Sequence, residues 1–91
     1  MGWWIIKQPN GRLARFSDMV DNFTHMNMTE IEAIDVCTAY LGLYDSMSKV
    51  DLGLQDESLE RWKTALRRIE RVHGSKVRAN AVEFDRYVDF R

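Results

Sequence analysis

Residues Trp3 to Gln8 are aromatic and β-branched, Pro9-Asn10-Gly11 is a strong turn signal, and Arg12 to Phe16 resumes with Leu13 set among basic residues. This pattern predicts a β-hairpin at the start of the chain. Side chains alternate across a strand, so Trp3 and Ile5 share one face while Trp4 and Ile6 share the other. Neither face is polar, and both need cover, either from helices of the same chain or from a partner. A chain of 91 residues has room for one core and buries only about 60 to 65% of the surface its unfolded form exposes. With 45% apolar residues and a single proline it reads as one folded domain spanning residues 1–91.

Beyond the hairpin, Ser17 to Phe23 reads as a short helix capped by Ser17, with a third strand also permitted. Thr29 followed by Glu32 is a capping box, and a helix is expected from about Glu30 to Leu43. Ile31, Ile34, Cys37, Leu41 and Tyr44 would form its apolar face, making it the central core helix and leaving Glu32, Asp35 and Ala39 wet. Asp45 to Gln55 reads as a polar connection in which Val50, Leu52 and Leu54 alternate. A second helix is expected from about Glu57 to His73, with Leu59, Trp62, Leu66, Ile69 and His73 on one stripe and Gly74 as its stop. The segment from Lys76 to Arg91 fits either a strand or a helix; helix is favoured for Ala79 to Arg86, with a less regular end. The fold class is therefore α+β: an N-terminal β-hairpin packed on two main helices, with a C-terminal element of open type.

The formal net charge of −1 conceals strong segregation. Residues 1–17 carry three basic and no acidic side chains, 18–60 carry ten acidic against one lysine, and 61–78 carry seven basic against one glutamate. Such a body can steer toward a charged partner or pair with itself. No apolar run reaches the ~18 residues needed to span a bilayer, and no secretory leader is legible, so no membrane association and a cytoplasmic location are expected. The lone Cys37 excludes an internal disulfide and reads as a small buried hydrophobe rather than a reactive thiol.

No cluster of residues names a reaction. The two histidines, His25 and His73, have no nucleophile in reach along the sequence, and His73 fits a helix C-terminus. One cysteine and two distant histidines offer no zinc spacing, and Asp45, Asp51 and Asp56 lack the calcium-loop pattern. The five glycines are too scattered for a phosphate or dinucleotide loop. No catalytic residue, metal or cofactor is assigned, and the protein is read as a non-enzyme. A row of Arg61, Lys63, Arg67, Arg68 and Arg71 could contact nucleic-acid phosphates, although the same row also suits a solvated helix face. The 13-residue connection from Leu43 to Glu57 argues against a helix-turn-helix. Glu32 and Asp35 in an acidic surface, together with Trp3 on the hairpin, are the candidate contacts to a protein partner, and a homodimer pairing acidic and basic faces is a further arrangement.

In its aromatic hairpin (Trp3-Trp4-Ile5-Ile6, Pro9-Asn10-Gly11) leading to a capped helix (Thr29-Glu30-Ile31-Glu32-Ala33), and in its size and charge segregation, the chain resembles small accessory proteins of phages and prophages. The resemblance covers residues 1 to about 44 and carries over no functional residue. It implies a protein that binds and modulates a host protein or complex rather than an enzyme. The leading expectation is thus a non-catalytic protein-interaction module, an inhibitor or regulator of a host complex. The alternative is a small accessory protein binding DNA or RNA through its Arg-rich helix.

Overall fold

The computed structural model describes residues 2–86, and the last five residues of the C-terminal segment lie outside the described range. Three strands, β1 (Trp3–Lys7), β2 (Leu13–Ser17) and β3 (Asn22–Met28), form an antiparallel sheet in the order β1-β2-β3. Four helices follow: α1 (Glu30–Thr38), α2 (Leu43–Leu54), α3 (Glu60–His73) and α4 (Ser75–Arg86). The fold is α+β, and helices of the same chain cover both faces of the sheet. On one face Ile5, Leu13 and Met28 pack with Ala33 and Cys37 of α1 and Val50 of α2. On the other, Ile6 and Phe16 pack with Trp62, Ala65, Leu66 and Ile69 of α3 and Ala81 of α4.

The hairpin turn forms as its residues dictate. Gln8 N–H donates to Arg12 O at 2.8 Å, Gly11 N–H donates to Gln8 O at 2.9 Å, and Gly11 takes φ 85°, which its missing Cβ allows. The short helix expected over Ser17 to Phe23 is absent: residues 18–21 are a turn, and β3 begins at Asn22. A two-stranded hairpin is marginal in water, and β3 gives the second row of β2 backbone groups a partner. It also brings Phe23 edge-on to Phe16, with centroids 5.6 Å apart, and into a stack on Trp62 at 5.2 Å. Asp21 enters the strand with φ 50°, a left-handed value that Asp tolerates better than most residues.

The capping box at α1 is present: Thr29 Oγ1 accepts from Glu32 N–H at 3.2 Å, and Glu32 Oε1 accepts from Thr29 N–H at 2.9 Å. The helix stops at Thr38 rather than running to Leu43, and it buries only Ala33 and Cys37, so it is not the central core helix. Ile31, expected inward, is 79% exposed. The expected connection over Asp45 to Gln55 is largely helix, because α2 covers the β1 side of the sheet. Its buried positions are Ser46, Val50 and Gly53, two of them too small to register as an apolar stripe. Gly53 is the tightest glycine position among the five: a Cβ there would lie 2.8 Å from the carbonyl oxygen of Ile5.

The second predicted helix is α3, which starts at Glu60 rather than Glu57. Leu59 takes φ 58°, and the cap comes from upstream: Asp56 Oδ2 accepts from Arg61 N–H at 3.2 Å while Ser58 donates to Asp56 Oδ1 at 2.7 Å. The Ser58 hydroxyl and the Arg61 amide hold the Asp56 carboxyl below the usual range. Gly74 ends α3 with φ 95°, and α4 follows directly, so the helical alternative for the C-terminal segment holds through Arg86. Five residues, 55–59, separate α2 from α3, fewer than the connection read from sequence, but the two helices lie on opposite faces of the sheet and form no helix-turn-helix unit.

A buried polar cluster ties the hairpin turn to β3 and α4. Gln8, fully buried, donates from Nε2 to Asn27 Oδ1 at 2.8 Å and to Asp85 Oδ1 at 2.9 Å, and its Oε1 accepts from Asn27 N–H at 2.7 Å. Asn10 Nδ2 donates to the carbonyl of Asp85 at 2.6 Å.

Two outcomes are expected in urea denaturation. Gly53→Ala destabilises the protein by about 1–3 kcal/mol, since the obstructing atom is backbone and cannot swing aside, whereas Gly42→Ala, with open space around it, does not. Gln8→Ala costs about 1–3 kcal/mol by removing the buried side-chain bonds to Asn27 and Asp85.

Candidate functional site

The segregated charges of the sequence become two surfaces on opposite sides of the sheet. Glu30, Glu32 and Asp35 of α1 and Asp45 and Asp51 of α2 stand on one side, opposed by Lys49 alone within those two helices. Arg61, Lys63, Arg67, Arg68 and Arg71 stand along α3 on the other.

The acidic side also carries apolar bulk. Leu43 and Met47, one turn apart on α2, are 62% and 51% exposed, and Tyr44 beside them is 82% exposed. Leu52 on α2, Tyr40 in the preceding turn and Ile31 on α1 are exposed as well. The α1–α2 pair meets the sheet through Ala33, Cys37, Ser46, Val50 and Gly53, with Ile34, Val36 and Leu54 packed beside them, and still leaves several larger apolar side chains outside. Glu32 and Asp35, both expected in a protein contact, are exposed on this side, but Glu32 is also half of the α1 capping box.

Trp3 is half-buried rather than projecting. The Arg15 guanidinium lies 4.8 Å from the Trp3 ring centroid and 4.8 Å from that of Tyr40, and Lys49 Nζ sits 4.0 Å over Trp3. Arg15 is itself buried, donates to Thr24 Oγ1 at 2.8 Å, and has no carboxylate within 4.0 Å among the described residues; its Nε has no partner. Ring faces on two sides thus hold a desolvated cation, each such contact worth on the order of 1–2 kcal/mol. Cys37 lies below this group. Burial pushes its thiol up in pKa, against the opposing pull of Lys49 and Arg15, which keeps it protonated and unreactive.

The exposed aromatic of β1 is Trp4. It forms part of a recess of about 430 Å³ with Ile6, Phe16, Ala65, Arg61 and Arg68. A second recess of about 400 Å³ on the α2 side shares Trp4 and Arg61 and adds Ser48 and Lys49. Arg68 Nε lies 2.6 Å from Asp21 Oδ1, an ion pair whose angle falls outside hydrogen-bond geometry. Lys63 pairs with Glu60 at 3.7 Å, and Arg67 bonds Thr64 at 3.0 Å. The guanidinium groups of Arg61 and Arg71 have no carboxylate within 4.0 Å among the described residues. The Arg row read from sequence is therefore split: Arg61 and Arg68 line the recess, while Lys63, Arg67 and Arg71 of the same helix do not.

The histidines stay apart from both surfaces. His73 Nε2 is 2.8 Å from Val20 O and helps Arg68 clamp the β2–β3 turn to α3, and His25 Nδ1 is 3.0 Å from Thr24 Oγ1. Among the described residues no three His, Cys, Asp or Glu side chains gather as a metal site, and no helix is long and apolar enough to cross a membrane. Sequence reasoning missed the exposed α2 side chains, because its polar reading of that segment concealed a helix. No family model matches the chain, and no significant match is found to a curated protein or to a solved structure.

Cys37 should be silent to a thiol reagent such as DTNB in the folded protein and react only after unfolding. A thiol raised in the folded state ionises first in the unfolded chain. Its contribution to stability is therefore present below the unfolded thiol pKa of about 8.5 and declines as pH rises through and above it.

Proposed function

We propose that the protein is a non-catalytic interaction module that docks a protein partner on the outer surface of α1 and α2. The observation that carries the reading is the outer surface of α2: Leu43, Tyr44 and Met47 face solvent while Ser46, Val50 and Gly53 face the sheet. Solvent-facing apolar side chains on a small domain lower its solubility without adding to its core, and a contiguous group of them marks an interaction surface. Aromatic and methionine side chains are also the residue types that interfaces favour. Asp45 and Asp51 on the same helix, with Asp35 and Glu32 on α1, call for a partner whose apolar contact is ringed by Lys or Arg, and such complementarity raises association rates and rejects acidic competitors. The resemblance to phage accessory proteins suggests the finer role of inhibitor or regulator of a host complex, in the cytoplasm.

The test is affinity capture followed by binding measurements on the purified partner. Tyr44→Ala with Met47→Ala should weaken binding by tenfold or more, the scale of losing a buried anchor of about 1.4 kcal/mol or above. Asp45→Lys with Asp51→Lys should slow association, most clearly at low salt. Arg67→Gln with Arg71→Gln should leave the affinity unchanged. Equal binding by wild type and the Tyr44/Met47 variant removes the reading. Sedimentation velocity on the protein alone decides whether the partner is a second copy: a dimer dissolved by the same double substitution would place self-association on this surface.

A further inference from the structure

The recess beside Trp4 lies away from the α1–α2 surface and has a different chemistry. Its volume of about 430 Å³ falls in the range of ligand sites, roughly 300–1,000 Å³. The base of the recess is aromatic and aliphatic, from Trp4, Phe16, Ile6 and Ala65, and cations flank it. Trp4 is 38% exposed, with its buried side tilted against Phe16 at 6.1 Å between centroids. Its neighbour Gly2 is what leaves room, since a Cβ there would come within 3.1 Å of the indole. Arg61 lines both recesses and its guanidinium makes no ion pair within 4.0 Å among the described residues, although its backbone N–H is bonded to Asp56; Lys49, seated over Trp3, lines the second recess with Trp4.

Four carboxylates lie near these cations, and one of them, Asp56, is engaged by the Ser58 hydroxyl at 2.7 Å and the Arg61 backbone N–H at 3.2 Å. Glu60, which also lines the recess, is held by Lys63 at 3.7 Å, and Asp21 faces Arg68. Asp45 lines the second recess but not the first, so an anion is favoured on the α3 side. There the cations continue: Arg68 is seven residues from Arg61, about 10 Å along the helix, and Arg71 a further turn of about 5 Å. One anionic group would leave most of that row unused, whereas a chain of phosphates would follow it.

We propose that this recess and the adjoining face of α3 bind single-stranded nucleic acid, with one base stacked on Trp4 and phosphates met by Arg61, Arg68 and Arg71. Trp stacking and a cationic track are the two elements of sequence-tolerant single-strand binding. An acidic peptide fits less well, because the edge of β1 is not free to add a strand. Gly2 and Gln8, which flank β1, pair toward β2, which leaves the backbone groups of Trp3, Ile5 and Lys7 facing outward, and α2 sits across that row where Gly53 meets the Ile5 carbonyl. A duplex keeps its bases stacked inside and cannot offer one to Trp4.

The experiment is fluorescence anisotropy of a labelled oligo-dT strand and of a duplex of equal length, at about 50 and 200 mM salt. The wild type should bind the strand more tightly than the duplex. Trp4→Leu, checked for folding by circular dichroism, should weaken strand binding at least about fivefold, the low end for one lost stacked base, and leave duplex binding unchanged. Arg61→Gln, on an exposed side chain outside the core, should reduce the salt slope for the strand by about 0.7, one phosphate's worth. The proposal is overturned by absence of strand binding at low salt, by Trp4→Leu acting equally on strand and duplex, or by an unchanged salt slope in Arg61→Gln. Displacement of the strand by poly-glutamate at matched charge, or by a mononucleotide at matched phosphate, would overturn it too.

Discussion

A three-stranded sheet with large apolar side chains on both faces cannot persist in water, and everything else in this protein follows from covering it. Ile5, Leu13 and Met28 on one face and Ile6 and Phe16 on the other each need a layer of helix. The chain supplies two helices per face, and the two layers are built differently. On the α3 side bulky residues interdigitate, with Phe23 stacked on Trp62 and α3 buried through Trp62, Ala65, Leu66 and Ile69. On the α1–α2 side the helices come in close, through Ala33, Cys37, Ser46 and Gly53, and the approach of Gly53 to the Ile5 carbonyl is its limit.

That close approach has a consequence at the surface. Two of the three buried positions of α2 are small, only Val50 and Leu54 bring larger apolar side chains to the core, and Leu43, Tyr44 and Met47 are left facing solvent. The same helix lies across part of the β1 edge and so blunts the row of open backbone groups that would otherwise invite strand pairing. The opposed charge blocks reinforce the division, acid with the exposed apolar helices and base with the aromatic recess. The two surfaces differ in chemistry and meet where Asp45 and Leu52 line one recess with Trp4 and Arg61.

Polar groups inside the domain fix details that apolar packing leaves free. Gln8, Asn10, Asn27 and Asp85 join a turn, an edge strand and the last helix, and a slip of either strand would strand several donors at once. Asn27 sits in the irregular part of β3 with φ 57°, where its backbone amide is directed to Gln8 instead of to the ladder. Arg15 plays a comparable part on the other face, where two aromatic rings rather than a carboxylate hold the cation and so fix Trp3 and Tyr40 against the sheet.

The sequence by itself determined the hairpin with its three-residue turn, the Thr29–Glu32 cap, the apolar stripe and Gly74 stop of α3, and the separation of charge, because each depends on local chemistry or on a regular period. It also showed that both faces of β1 needed cover. Only the tertiary structure decided that β3 is a strand, since Ser17 to Phe23 has no period of its own and Phe23 is held by Phe16 and Trp62. Likewise α2 was hidden, because close packing on β1 requires Ser46 and Gly53 where a stripe of Leu or Ile would have announced a helix. The candidate sites divide the same way: Arg61 and Arg68 were legible as a basic helix face, but their meeting with Trp4, and the outward turn of Tyr44 and Met47, depend on which helix covers which face of the sheet.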